Sequence, residues 1–132
     1  NGATVIWGGT RNGNCLTPTL LFRDNADPQH MAHEIFGPVL YVSSYTDIHT
    51  AYQAANDSPF GLQASLYTTQ LKEAHNGIDQ LHYGSVLINQ MPSFRLDTLP
   101  YGGIKQSGNT KEGVYSSYLA LTWEKLIVLD PY

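Results

Sequence analysis

The chain has 132 residues, enough for one domain with a hydrophobic core, and its mild net charge of −4 with seven scattered Lys and Arg argues against a nucleic-acid partner. Only 14% of residues are charged, against about 25% in ordinary soluble domains, and nine tyrosines with two tryptophans enlarge the amphipathic surface. Part of that surface is therefore expected to pack against other protein, while the single cysteine, Cys15, rules out an internal disulfide. No apolar run approaches the roughly 20 residues of a bilayer span, so no membrane partner is expected and the chain reads as cytoplasmic. Asn1-Gly2-Ala3 has neither a starting Met nor the regions of a signal peptide, and reads as the middle of a longer chain.

In chain order, Thr4-Val5-Ile6-Trp7 predicts a strand, residues 8–14 a turn-rich loop, and Leu16 to Phe22 a second extended run that Pro18 places at an edge or bulge. Residues 23–33 are polar and aperiodic, with a short turn expected near Pro28 to Ala32, and lead into the shaped loop Glu34-Ile35-Phe36-Gly37-Pro38. An apolar run from Val39 to Tyr45 is followed by Asp47, an N-cap for a helix carrying Ile48, Ala51, Tyr52 and Ala55 on one face. After the turn cluster Asp57 to Gly61, Ala64 to Tyr67 reads as a strand, and Thr69 as the cap of a helix with Leu71, Ala74 and Ile78, which Gly77 weakens. Ser85 to Asn89 reads as a buried strand, residues 90–108 as a long loop, Lys111 to about Leu121 as a helix re-capped by Thr110, and Lys125 to Leu129 as a terminal strand. Strand, helix, strand, helix, strand with short connections from Val39 to Asn89 predicts an α/β fold with a parallel βαβαβ core.

Each motif is weak by itself, and their order is specific. Pro18-Thr19, Glu34-Ile35-Phe36-Gly37-Pro38-Val39, Ala55-Asn56, Phe60-Gly61-Leu62, Gly84-Ser85-Val86, Asn89 and Pro100 to Gly108 together resemble the aldehyde dehydrogenase superfamily over essentially the whole chain. The resemblance implies a truncated catalytic domain: its C-terminal part over residues 1–121 and a terminal oligomerisation strand over residues 122–132. It also implies an NAD(P)-dependent oxidation of an aldehyde to a carboxylic acid through a cysteine thioester.

By the same resemblance Glu34 accepts hydrogen bonds from the nicotinamide ribose hydroxyls and Phe36 packs beside the nicotinamide ring. The plainer readings are a solvated or loop-capping carboxylate and ordinary loop packing. Residues 91–98 take the place of one wall of the aldehyde tunnel, similar to the branch with lactaldehyde and glyceraldehyde-3-phosphate dehydrogenases. Phe94 would line that wall, and Arg95 would favour an anionic aldehyde, unless it serves a structural pairing with Asp97 or faces solvent.

No catalytic residue is assigned to this chain. Cys15 stands in Gly13-Asn14-Cys15-Leu16, away from the Gly-Gln-x-Cys setting of the family nucleophile and with no adjacent base, and reads as structural. Gly102-Gly103 with Lys105 and Ser107 lacks the ending of a phosphate loop, and His30, His33 and Glu34 lack the spacing of a metal site, so no metal is assigned. After Gly108 the family's second glycine and arginine are replaced by Asn109-Thr110-Lys111.

The chain alone is expected to be inactive. Its expected partners are an aldehyde, NAD or NADP, the N-terminal part of the same protein and further copies of itself. NAD against NADP stays open, because the residues that meet the adenosine ribose would lie in that N-terminal part. The competing function is a non-catalytic assembly module built on the same fold.

Overall fold

The computed structural model describes residues 2–24 and 32–131. They form two compact units, one of residues 2–24, 32–59 and 79–81 and the other of residues 60–78 and 82–131. The turn expected near Pro28 lies outside the described residues, apart from Ala32.

In the first unit, β1 (Thr4–Trp7) runs antiparallel to β4 (Thr19–Arg23), and β4 runs parallel to β5 (Val39–Ser43), giving the order β1-β4-β5. The register pairs Thr19 with Val39 and Phe22 with Val42. The run expected from Leu16 to Phe22 is divided at Thr17-Pro18. Before the break, β2 (Arg11–Asn12) and β3 (Cys15–Leu16) make a small hairpin on Gly13-Asn14, where Gly13 supplies φ 59°. After it, Thr19 N–H donates to the Pro38 carbonyl at 2.8 Å and opens the parallel ladder. The Thr19 hydroxyl, buried, accepts from Gly9 N–H and donates to the Thr17 carbonyl, so its burial leaves no unmet polar group.

Helix α1 (Ile48–Asn56) starts as its sequence predicts, with Asp47 in extended conformation and its carboxylate accepting from His49 N–H at 3.1 Å. Its apolar face buries Tyr52 to 5% exposure, and Asn56 Nδ2 donates to the Gln80 carbonyl at 2.7 Å.

In the second unit, β6 (Phe60–Gly61) pairs antiparallel with β9 (Ile104–Lys105), two short strands inside segments expected to be turn and loop. Strands β7 (Gln63–Leu66) and β8 (Ser85–Ile88) are parallel, joined through α2 (Leu71–Gln80), whose last two residues fall in the first unit. The strand–helix–strand–helix–strand order of the expected core is present, with β5 paired to β4 and β7 to β8 in separate sheets. The hydroxyl at the start of α2 belongs to Thr68 and not to Thr69: it accepts from Gln70 N–H at 3.0 Å and donates to the Glu73 carboxylate.

Helix α3 (Val114–Leu121) begins three residues later than expected. Its N-cap is Gly113 at φ 125°, with no side-chain cap, so Thr110 does not cap it. Residues 122–131 lie outside any helix or ladder, and Leu126, Ile127, Val128 and Leu129 are exposed. No described helix is long and apolar enough to cross a membrane.

Candidate functional site

The first candidate loop, Glu34 to Pro38, lies directly before β5. Two tight backbone hydrogen bonds shape it, Gly37 N–H to the Ile35 carbonyl at 2.9 Å and Val39 N–H to the Gly37 carbonyl at 2.8 Å. Side chains alternate along it. His33 and Ile35 line a cavity of about 690 Å3 together with Tyr41, Ser43 and Thr50, and Glu34 and Phe36 do not. Phe36 is 98% exposed, so loop packing within this chain does not account for its aromatic ring. Glu34 is exposed as well, and no described residue pairs with its carboxylate.

The second candidate loop follows β8. Asn89 takes φ 55° and binds Thr68 through both ends of its amide, Oδ1 accepting from Thr68 N–H at 2.9 Å and Nδ2 donating to the Thr68 carbonyl at 2.8 Å. The left-handed conformation is one that asparagine tolerates better than most residues. Beyond it, Phe94 N–H donates to the Met91 carbonyl at 3.0 Å, and Gln63 Nε2 holds the Phe94 carbonyl at 3.1 Å. Phe94 and Arg95 border a cavity of about 200 Å3 with Val86, Leu87, Leu99 and Tyr101.

Arg95 is engaged within its own unit. Nη2 donates to Glu112 Oε2 at 2.9 Å, Nε lies 3.7 Å from Asp97 Oδ1, and the guanidinium carbon sits 4.7 Å from the Tyr101 ring centre. The expected pairing with Asp97 is thus the longer of two, and Glu112 and Tyr101 are the partners that sequence reading missed. No local pattern joins residues 95, 101 and 112. The only signal available beforehand was Asp97, two residues from Arg95.

The segment Pro100 to Glu112 is closed at its neck by Tyr101 and Glu112, whose backbones exchange hydrogen bonds of 3.0 and 2.6 Å. Its glycines serve close packing: a Cβ on Gly102 would collide with the Thr110 carbonyl and one on Gly103 with Ser107, while outside the segment a Cβ on Gly84 would collide with the Gly102 carbonyl. Lys111 donates to the carbonyls of Gly84 at 2.9 Å and Gly102 at 2.5 Å. Lys105, also at φ 55°, places its ammonium 5.3 Å from the ring centre of Tyr83, whose phenol burial holds above its ordinary pKa. Cys15 is exposed on the small hairpin, and the described residues include no cluster of three metal-ligating side chains.

A family model described as the aldehyde dehydrogenase family matches residues 1–127. The chain belongs to the aldehyde dehydrogenase family. It is 37% identical over 129 residues to 3-sulfolactaldehyde dehydrogenase of Priestia megaterium, covering 98% of this chain and 27% of that protein. The NADP-complexed, NADP-dependent glyceraldehyde-3-phosphate dehydrogenase of Bacillus halodurans superposes with a TM-score of 0.86 at 38% identity, covering 98% of this chain and 27% of that one. An indole-3-acetaldehyde dehydrogenase mutant of P. syringae in complex with NAD+ gives 0.80 at 35% identity, covering 89% and 24%. This aldehyde dehydrogenase chain spans about a quarter of the length of the curated relatives it matches. Within it, Glu34 and Phe36 share one loop of the first unit, and Phe94 and Arg95 share one loop of the second.

Proposed function

We propose that this chain is part of an NAD(P)-dependent aldehyde dehydrogenase that oxidises an aldehyde to a carboxylic acid through a cysteine thioester, the nucleophile lying elsewhere in the same protein. The observation that carries the reading is the loop before β5, which presents Glu34, an exposed carboxylate that no described residue pairs, and a 98% exposed aromatic, Phe36, two residues apart. Those groups fit a nicotinamide riboside. An ionised carboxylate accepts hydrogen bonds from both ribose hydroxyls, and an aromatic face covers one side of a flat ring. The nicotinamide, when bound, accepts a hydride from the substrate carbon. Glu34 and Phe36 then act by orientation, because holding reacting groups in line removes entropy from the barrier.

Phe94 and Arg95 supply one wall of the aldehyde path. Two relatives are named for a sulfo-substituted and a phospho-substituted aldehyde, which supports an anionic substrate facing Arg95. Relatives complexed with NADP and with NAD+ support a cofactor of this class. Cys15, exposed and without a neighbouring base, takes no part in the chemistry. The exposed apolar residues of α3 and of residues 126–129 support assembly with further copies through the terminal segment.

A chimera tests the reading: residues 1–127 replace the matching segment of the Priestia megaterium enzyme, and cofactor reduction is followed with aldehyde. Turnover is expected, with Glu34→Gln lowering kcat roughly tenfold through loss of charge-assisted hydrogen bonds. An inactive but folded chimera, or a Glu34→Gln chimera as active as its parent, would sink the reading.

A further inference from the structure

The guanidinium of Arg95 is held at one nitrogen and at its central carbon by two residues paired in one backbone bridge. Glu112 accepts from Nη2 at 2.9 Å, and the guanidinium carbon stands over the Tyr101 ring, 4.7 Å from its centre. These two residues face each other across the antiparallel bridge that closes the neck of the Pro100 to Glu112 segment. The separation of these two contacts is therefore set by main-chain hydrogen bonds.

Arginine carries five N–H donors in a rigid planar fork, so holding one nitrogen and the central carbon restricts where the remaining donors point. Net charge cannot be the source of anion selectivity at this place. One guanidinium stands against the carboxylates of Glu112 and Asp97, a local sum of −1, and Asp97, at 97% side-chain exposure, adds only a weak, screened attraction. Direction is what remains.

We propose that Glu112, with Tyr101, is a positioning residue that aims the remaining N–H donors of Arg95 at an anionic group on the aldehyde. The inference rests on the reading that the Phe94-Arg95 loop walls the aldehyde path, and it moves the control of charge selectivity to a bridge outside that loop. It also runs against the simplest electrostatic expectation, under which removing a neighbouring carboxylate strengthens anion binding.

The test uses the full-length protein that carries this chain and two aldehydes of equal length, one ending in a carboxylate and one in the corresponding carboxamide. Glu112→Gln is expected to raise KM for the carboxylate aldehyde roughly threefold to fivefold, the size of effect an exposed ion pair carries, with KM for the carboxamide and kcat for both unchanged. Glu112→Asp should recover part of the loss, and Tyr101→Leu, which keeps the backbone bridge, should shift the same KM in the same direction. A Glu112→Gln enzyme whose KM for the carboxylate falls or stays level overturns the proposal. If Arg95→Gln still raises that KM, the substrate-wall reading survives alone. If Arg95→Gln also changes nothing, both fall together.

Discussion

Asn89 binds Thr68 as one more rung of the β7–β8 ladder would, its side-chain amide taking the part of a strand backbone at 2.9 and 2.8 Å. The strand pair is thereby extended at the point where the chain turns into the loop carrying Phe94 and Arg95. Asn89→Ala removes both bonds and leaves a Cβ residue at φ 55°, at a cost of about 2 kcal/mol. Asn89→Gly keeps the backbone relaxed and should lose about half as much. Denaturant midpoints of the two variants check this, and equal losses would remove strain from the account.

Gly84, Gly102 and Lys111 make a second junction that admits little change. A Cβ on Gly84 meets the Gly102 carbonyl, and backbone cannot swing aside as a flexible side chain can. Gly84→Ala is expected to cost about 3 kcal/mol or more, and Lys111→Met, which leaves two carbonyls without their donor, about 1 to 2 kcal/mol. Thermal unfolding of the protein measures both. A well-tolerated Gly84→Ala would mean that the two segments do not approach as described.

Cys15 offers a contrasting case. Its side chain is exposed on a two-residue strand, so Cys15→Ser should change stability by no more than about 0.5 kcal/mol. Turnover of the full enzyme should be unaffected. A large loss of kcat in that variant would place this thiol in the reaction and contradict the proposed function.

Tyr83 should retain its proton to higher pH than an ordinary phenol, because burial disfavours the phenolate. A folded-state pKa above the unfolded value of about 10 gives a stabilising contribution that is complete below that pH and is lost as pH rises through the folded pKa. Carbon-13 NMR of ring-labelled tyrosines, with Tyr83→Phe to assign the signal, should show this phenol titrating above pH 10. A midpoint at or below the ordinary value would show the ring to be more solvated than its packing implies.

Local signals in the sequence carried much of this fold. Asp47 followed by Ile48, Ala51, Tyr52 and Ala55 determined a capped helix because cap and periodicity both act within a turn or two of chain. Gly13-Asn14 and Pro18 marked where extended chain had to turn or break, and the order of motifs from Pro18 to Gly108 carried the family. The pairing of β6 with β9, forty-odd residues apart, left no mark, since each strand is two residues long and shows no period. The start of α3 shifted for a related reason: the Lys111 ammonium is taken up by two distant carbonyls and the Glu112 backbone by Tyr101, which the local pattern of residues 109–113 does not reveal. The sequence by itself thus determined the helix capped by Asp47 and the family, and it offered Glu34, Phe36, Phe94 and Arg95 as candidates without deciding their surroundings. Only the tertiary structure decided that Phe36 stands bare while Arg95 is held by Glu112 and Tyr101, because exposure and long-range pairing depend on which segments the folded chain brings within a few ångströms.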